Sequence, residues 1–246
     1  MGGLIEGRHA VSEALRSDMP VSRVLIAEGA RSDRALSEIE RATAKRGIPL
    51  DRVRRQVLDD LSERGAHQGV IARTPDFSFT PLAKILESSR EKPASLLIAL
   101  DHITDAGNLG AIARSAEVVG ADGLIVPSKR SAAFGAGAYK TAAGALFWLP
   151  VAQEPNLVRA LDACKKAGYW IAGASEHASQ HAWDAPLEGR LVLVLGAEGT
   201  GLSRLVRESC DFVVSLPVSG KVGSLNVAQA ASVLAYEWLR RGAGTS

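Results

Sequence analysis

The 246-residue chain is long enough for one large domain or two modest domains, each with its own hydrophobic core. Its composition, 46% hydrophobic and 23% charged residues, is ordinary for a globular protein. No apolar run approaches the roughly 20 residues that cross a bilayer, so we expect a cytoplasmic protein without membrane contact. The formal net charge of +2 indicates no particular partner by itself.

The first 73 residues predict a small α/β domain. Asp33 is expected to cap the helix Arg34–Arg46, which Gly47 ends. The other predicted elements are helices 7–17 and 56–61 and strands Arg23–Ala27, 50–54 and 69–72. The basic residues of this region cluster at Lys45-Arg46 and at Arg52, Arg54 and Arg55. Arginine forks suit phosphate oxygens, so these clusters indicate either a nucleic-acid contact or a solvated charged face.

Residues 74–93 contain three prolines and are predicted to be a linker with one helical piece, Leu82–Ser88. From residue 94 onward, strand and helix patterns alternate, which predicts a mostly parallel sheet with helices on both faces. The expected strands are 96–100, 123–126, 149–151, 169–172, 191–195 and 212–216. The expected helices are 109–119, 139–146, 156–167, 203–208 and 225–240.

Polar residues follow the first of these strands in the segment DHITDAGNLGAIAR, residues 101–114. Asn108 is expected at the N-cap of the next helix. Arg114 lies about 200° around that helix from the core residue Ile112, so its side chain can reach outward near the edge of the sheet. A plain surface arginine fits the same pattern.

The segment GAEGTG, residues 196–201, follows another buried strand. Its glycine spacing differs from the dinucleotide-binding fingerprint GxGxxG, and the next strand ends without an acidic residue. A nicotinamide dehydrogenase is therefore disfavoured. Three glycines around Glu198 still indicate backbone that packs closely against a ligand.

The segment SGKVGSLN, residues 219–226, superficially resembles a phosphate-binding loop. Ser215 and Val222 occupy positions where that motif needs Gly and Ser or Thr, so the motif fails. Ser224 is well placed to cap the final helix. Asn226 is a poor residue for a first helical turn, so a hydrogen-bonding role is expected for it.

No residue pattern predicts a metal site. Cys164 and Cys210 lack a CxxC partner and are expected to be inert thiols. His177 and His181 are four residues apart in a predicted loop, without the glutamate of a zinc motif.

Taken together and in this order, NLGAIAR (108–114), LGAEGTGL (195–202), and LPV (216–218) with SLNVA (224–228) resemble the three motifs of the SpoU/TrmH family. These are ribose 2′-O-methyltransferases of the SPOUT superfamily. The opening EGRHAVSEAL, the AHQGVIA segment and the C-terminal region resemble the bacterial 23S rRNA guanosine-2′-O-methyltransferase subfamily.

The resemblance implies a catalytic domain at 94–246 with a trefoil knot, preceded by an L30e-like RNA-binding domain at 1–73. It also implies a homodimer formed through the catalytic domain. The implied cofactor is S-adenosylmethionine, held at Gly196, Gly201, Leu216 and Leu225. The implied catalytic residues are Asn108, Arg114, Glu198, Ser224 and Asn226.

A guanidinium with a pKa above about 12 is a poor base near neutral pH. We therefore expect Arg114 to hold the target phosphate and to stabilise the developing alkoxide. Glu198 and Asn226 are expected to orient Arg114, and Ser224 to position the loop and the substrate.

Phe147 and Trp148 depart from a GAxE pattern that is common in related sequences. We expect both aromatic side chains to pack in the core, although stacking on an RNA base is an alternative. Two other functions stay open: methylation of transfer RNA, and a non-catalytic RNA-binding scaffold of the same fold. The separate N-terminal domain favours ribosomal RNA, because relatives that act on tRNA commonly have short terminal extensions instead.

Overall fold

The computed structural model describes residues 3–16, 19–62, 65 and 67–242, which form two compact units. The small unit comprises Met1–Ser78 with Phe134–Gly144, and the large unit comprises Phe79–Ala133 with Ala145–Ser246. None of the described helices is both long and apolar enough to cross a membrane.

Within the described residues, the small unit contains one four-stranded sheet in the order β1-β4-β2-β3. Strands β2 and β3 are parallel, and β4 runs antiparallel to both β1 and β2. A small core of Leu25, Ala27, Leu58 and Ile71 lies against this sheet. The elements are β1 (Leu4–Glu6), α1 (Arg8–Arg16), β2 (Arg23–Ala27), α2 (Arg34–Arg46), β3 (Leu50–Val53), α3 (Arg55–Leu61) and β4 (Val70–Arg73).

Helix α2 begins and ends where its sequence predicts. Asp33 Oδ1 accepts the N–H of Leu36 at 2.8 Å, and Gly47 ends the helix with a left-handed φ of 63°. The hydrogen bond from Leu36 and the guanidinium of Arg8 lower the pKa of Asp33. Strand β1 was not predicted, because three residues are too few for a recognisable alternation. Residue 17, the last of the predicted first helix, lies outside the described residues.

The large unit contains a seven-stranded sheet in the described part of the chain, with every pair of neighbouring strands parallel. The order is β7-β6-β5-β10-β8-β11-β9, so the apolar strands β5 and β10 lie at its centre. The strands are β5 (Ser95–Asp101), β6 (Gly123–Pro127), β7 (Val151–Glu154), β8 (Trp170–Ala174), β9 (Gln180–His181), β10 (Arg190–Gly196) and β11 (Phe212–Ser215). The mostly parallel α/β architecture expected from the sequence is confirmed.

Helices fill most of the connections between these strands. They are α4 (Leu82–Ser88), α5 (Ala106–Val118), α6 (Ala136–Ala142, grouped with the small unit), α7 (Leu157–Lys166), α8 (Arg204–Glu208) and α9 (Val227–Gly242), with short 3-10 helices at Ala145–Phe147 and Ala182–Asp184. The main core packs α4 and α7 against one face of the sheet, with Leu97, Leu161 and Val192 among its fully buried residues.

Two predicted helix starts were wrong. Helix α5 begins one turn early, since Asp105 holds the N-cap position and accepts the N–H of Asn108 at 2.7 Å. Asn108 therefore lies inside the first turn. Helix α9 begins at Val227, and Asn226 Oδ1 accepts the N–H of Ala228 at 2.9 Å. The N-cap position belongs to Asn226 and not to Ser224.

Three other segments also differ from prediction. The helix expected at 139–146 ends at Ala142, because Ala143 and Gly144 both adopt positive φ, 48° and 95°. The strand expected at 149–151 begins only at Val151. The segment around His181, expected as a loop, adds the short strand β9 beside β11.

The end of helix α9 is anchored by a buried carboxylate. Glu237 is 6% exposed, and its Oε1 lies 2.8 Å from both Arg240 and Arg241. The Arg241 guanidinium also donates to the carbonyl of Trp183, which ties the helix to the preceding chain. Hydrogen bonds, first from Arg240 and then from Arg241, lower the pKa of Glu237 to about 2.

Candidate functional site

Three polar loops leave the sheet of the large unit at its carboxyl edge. Strands β5 and β10 pair in register so that Asp101 lies opposite Gly196, and the loops that follow therefore start side by side. Strand β11 lies two positions from β10, with β8 between them, and is followed by the exposed segment 217–226. Ligands of open α/β sheets bind at this edge.

Three predicted site residues from these loops form a closed hydrogen-bonded triangle. The Asn226 side-chain amide donates to Glu198 Oε1 at 2.5 Å and to Asn108 Oδ1 at 3.0 Å. The Asn108 amide donates to the same Glu198 oxygen at 3.3 Å. Glu198 and Asn226 thus meet Asn108 although they lie 90 and 118 positions from it in the sequence. We call these three residues the polar triangle.

Helix packing holds two corners of the polar triangle in place. Helices α5 and α9 pack along their lengths, and Ser115 and Ser232 share a hydrogen bond of 2.6 Å between them. Asn108 lies in the first turn of α5, and Asn226 caps the start of α9. The two amides therefore come from the N-terminal ends of a fixed helix pair.

The glycine loop that carries Glu198 closes tightly on itself. Gly201 donates its N–H to the carbonyl of Ala197 at 2.8 Å, and Gly199 and Gly201 both have positive φ. A Cβ added at Gly196 would lie 2.2 Å from the carbonyl carbon of Gly201, so no larger residue fits this loop conformation. The sequence predicted close backbone packing here. In the described structure the backbone that packs against Gly196 is that of Gly201, in the same loop.

A buried carboxylate that the sequence interpretation missed supports this loop from below. Asp101 is 1% exposed, and its Oδ2 accepts the N–H of Ser203 at 2.6 Å. Its other oxygen lies 2.6 Å from Nδ1 of His102, a residue with a positive φ of 60°. Asp101 therefore joins the end of β5 to the end of the glycine loop. Its position as the last residue of a buried strand was the available signal.

Arg114 lies on the same helix as Asn108 but outside the polar triangle. Its side chain is exposed, and within the described residues it makes no hydrogen bond or ion pair. Glu198 and Asn226 form hydrogen bonds with Asn108 and with each other. Within the described residues neither of them bonds to Arg114, so no hydrogen bond supports the prediction that they orient Arg114.

The residues expected to hold a cofactor fall on two of the three loops. Gly196 and Gly201 belong to the glycine loop, whereas Leu216 and Leu225 flank the exposed segment after β11. Leu216 is partly exposed and Leu225 is 47% exposed. Ser224 is exposed beside Leu225 and lies outside the polar triangle.

The described residues contain no group of three or more His, Cys, Asp or Glu side chains that could hold a metal ion. Burial raises the pKa of the Cys164 thiol to about 12 and that of Cys210 to about 11. Both cysteines are free and are protonated at neutral pH, so neither is a ready nucleophile.

The two aromatic residues near the α6 region differ from each other. Phe147 is partly buried, whereas Trp148 is 79% exposed. The prediction that both pack in the core is wrong for Trp148. The short 3-10 helix Ala145–Phe147 packs against α5, and its residues Ala145 and Leu146 are buried. Trp148 follows this helix and lies on the surface.

Comparison with known proteins identifies the class of this fold and site. A model of the SpoU rRNA methylase family matches residues 95–236, and a model described as RNA 2′-O ribose methyltransferase substrate binding matches residues 4–80. An uncharacterized tRNA/rRNA methyltransferase of Mycolicibacterium vanbaalenii is 39% identical over 239 residues, which are 97% of this chain and 76% of that protein.

Solved structures give the same result. The SpoU methyltransferase AviRb from Streptomyces viridochromogenes, in complex with AdoMet, has a TM-score of 0.69 and 27% identity, over 97% of this chain and 89% of that chain. The A. aeolicus TrmH/SpoU tRNA modifying enzyme has a TM-score of 0.53 and 26% identity, over 65% of this chain and 83% of its own. The chain belongs to the SpoU rRNA methylase family and is an RNA methyltransferase of that family.

Proposed function

We propose that this enzyme transfers a methyl group from S-adenosylmethionine to the 2′-hydroxyl of a ribose in structured RNA, specifically a guanosine of 23S rRNA. The polar triangle carries this proposal, because it joins one residue from each of the three motif segments at the carboxyl edge of the sheet. Family membership supplies the reaction class, and the AdoMet bound to AviRb supplies the methyl donor.

The partial match to a tRNA modifying enzyme supports ribosomal RNA over transfer RNA as the proposed substrate. AviRb aligns with nearly the whole of this chain, whereas the tRNA modifying enzyme of A. aeolicus aligns with about two thirds of it. A substrate-binding family model matches residues 4–80. We propose that residues 1–73 form an RNA-binding domain that the tRNA enzyme lacks.

The residues at the edge fit S-adenosylmethionine. Leu216, Val218 and Leu225 present partly or largely exposed apolar side chains at the sheet edge, which suit the faces of an adenine ring. The close approach at Gly196 keeps the backbone of the glycine loop free of side chains at its narrowest point. When bound, the donor supplies an electrophilic methyl group on a positively charged sulfur, so the chain has only to activate the ribose.

Arg114 is proposed to provide that activation. An exposed guanidinium without an internal partner is free to bind the phosphate next to the target ribose. Its remaining N–H groups stabilise the negative charge that develops on the 2′-oxygen as the O–H proton leaves to solvent at this open edge. Arg114 itself stays protonated throughout.

The polar triangle is proposed to fix the loops around the reacting atoms. Glu198 accepts both amides through Oε1, which leaves Oε2 available to the substrate or to Arg114 when RNA is bound. Ser224, two residues before Asn226, is proposed to position the exposed segment against the ribose.

We also propose a trefoil knot, a homodimer formed through residues 94–246, and a cytoplasmic location.

The proposal is tested by mapping 2′-O-methylation in ribosomal and transfer RNA from cells with and without the gene. A single 23S rRNA guanosine that loses its methyl group is the expected result. Loss at a tRNA position would assign the enzyme to tRNA. RNA with no change in ribose methylation would contradict the proposed reaction and favour a non-catalytic scaffold.

A further inference from the structure

Most of the arginines in the small unit already bind partners within that unit. Arg16 pairs with Glu38, Arg23 with Asp51 and Arg52 with Glu40. Arg46, from one of the basic clusters noted in the sequence, donates to the carbonyl of Leu15 in the last turn of α1 at 3.0 Å and to that of Met19, which follows α1, at 2.8 Å. An arginine whose N–H groups already bond within the chain has fewer of them available to an RNA phosphate.

Four arginines of the same unit are different. Arg31, Arg54, Arg55 and Arg73 are exposed, and within the part of the chain that the structure describes their side chains make no hydrogen bond or ion pair. Only part of the basic cluster at 52–55 is therefore available to a ligand, because Arg52 is held by Glu40 at 2.6 Å.

The sheet brings Arg31, Arg54 and Arg55 to one edge, whereas Arg73 lies at the other end of β2, opposite Arg23. Strands β2 and β3 are parallel, with Ala27 opposite Val53, and Glu28 donates its N–H to the carbonyl of Val53 at 2.8 Å. The loop that carries Arg31 and the residues Arg54 and Arg55 therefore leave the sheet at the same carboxyl edge.

Arg8 fixes the shape of this edge from within. It lies in the EGRHAV segment, and its guanidinium donates to the carbonyl of Gln68 at 3.2 Å, to the carbonyl of Arg31 at 2.9 Å and to Asp33. Gln68 belongs to the AHQGVIA segment, so the two segments of the small unit noted in the sequence meet here. The Arg8 side chain is only 18% exposed and pairs with Asp33, and Glu28 is an exposed acid in the same loop as Arg31.

The alternative basic surface lies on the helices. A groove of about 320 Å³ is lined by Ser12, Arg16, Glu38, Arg41, Ala42 and Lys45. Glu38 accepts hydrogen bonds from Arg16 and Arg34 in or beside this groove, and Arg41 bonds the carbonyl of Ser37. Two of the three cations that line the groove are thus bonded within the chain, and Lys45 is the only one of them without a bond among the described residues, whereas the edge of the sheet carries three such cations.

We propose that the carboxyl edge of β2 and β3 is the RNA-binding face of the small unit, where Arg31, Arg54 and Arg55 bind phosphates of a folded RNA. This inference rests on the proposed function for the class of ligand. Three guanidinium groups on neighbouring loops suit phosphates of a structured backbone, and contacts of this kind position an RNA without reading its sequence.

The test is the equilibrium binding of the full-length chain to an in vitro transcript of 23S rRNA, without a methyl donor, at several salt concentrations. Arg54→Gln/Arg55→Gln is compared with Arg41→Gln/Lys45→Gln, which removes the same charge from the α1–α2 groove. The edge variant is expected to bind about tenfold more weakly at 0.1 M salt and to lower the salt slope by about 1 to 2. The groove variant is expected to change the affinity less than threefold, and both variants to keep the melting temperature.

The outcomes separate this face from the proposed function. Equal weakening by both variants, or a larger effect of the groove variant, would overturn the assignment of the face while leaving the reaction intact. A wild-type chain that does not bind the transcript would overturn the face as well as the choice of RNA. Adding Arg31→Gln to the edge variant is expected to weaken binding further, and an unchanged affinity would remove Arg31 from the face.

Discussion

The two units of this protein each present a carboxyl edge of parallel strands, and the edges are built alike. In the large unit the polar triangle and the buried Asp101 bond the loops to one another, and Arg114 has no partner among the described residues. In the small unit Arg8 bonds the loops together, and Arg31, Arg54 and Arg55 have no side-chain partner in the described part of the chain. The bonded residues form a frame, and the unbonded arginines are the ones we propose to contact the ligand.

In both units, the difference between the bonded frame and the unbonded arginines separates residues that stabilise the fold from residues that we propose to function, and the two effects can be measured separately. Changes to a free arginine should leave folding intact and remove activity or binding. Changes to the frame should disturb the loops themselves. Four predictions follow this division, from the largest expected effect to the smallest.

Arg114→Ala is expected to lower the rate of methyl transfer by about a thousandfold or more, as for the loss of a principal transition-state charge. Because the side chain makes no internal bond, the free energy of unfolding should change by less than about 0.5 kcal/mol. Single-turnover kinetics give the rate, and calorimetry should show unchanged affinity for S-adenosylmethionine. A near-normal single-turnover rate would remove Arg114 from the chemistry.

Gly196→Ala is expected to weaken binding of S-adenosylmethionine about a hundredfold, because the new Cβ forces the glycine loop open. Calorimetric titration measures the affinity. Gly242→Ala is the control, since a Cβ there has no atom within 4 Å. Full affinity in the Gly196 variant would show that the close approach in this loop does not shape the cofactor site.

Asp101→Ala is expected to destabilise the fold by about 1–3 kcal/mol, because the N–H of Ser203 loses its buried acceptor. Methyl transfer should fall about tenfold as the loop carrying Glu198 shifts. Asp101→Asn keeps an oxygen for Ser203 and should cost less in both respects. Denaturant unfolding checks the order of the variants, and an Asn variant as unstable as the Ala variant would contradict this role.

Glu237 tests the buried carboxylate that anchors the end of α9. Its pKa of about 2 in the folded chain lies below the ordinary 4.5, so its contribution to stability is complete above about pH 4.5 and is lost as the pH falls towards 2. Glu237→Gln should therefore flatten the decline of unfolding free energy across that range. Parallel profiles for the two proteins would exclude Glu237 as the source.

Much of the fold was predictable because the local signals were strong. Asp33 and Gly47 bound α2 as expected, and the apolar runs of β5 and β10 predicted central parallel strands. Boundaries failed where two capping residues competed. Asp105 and Asn108 are both good N-cap residues, and in the structure Asp105 holds the position by accepting the N–H of Asn108.

The residues of the site were predictable from the sequence, but the hydrogen bonds between them were not. Asn108, Glu198 and Asn226 were identified from motif order, yet their mutual hydrogen bonds depend on the pairing of β5 with β10 and on the packing of α5 with α9. Asp101 was missed because its position at the end of a buried strand indicates burial but not its hydrogen-bond partner, the N–H of Ser203, which lies 102 residues away in the sequence. Trp148 was placed wrongly because hydrophobic character alone does not predict burial.

The most direct test of the proposed reaction is methylation by the purified protein in vitro. The enzyme is incubated with S-adenosylmethionine carrying a labelled methyl group and a 23S rRNA transcript, and the digested RNA is examined by mass spectrometry. The label is predicted to appear in 2′-O-methylguanosine at one position and to be absent when Arg114→Ala replaces the wild type. Label in a methylated base, or none in the RNA, would contradict ribose 2′-O-methylation.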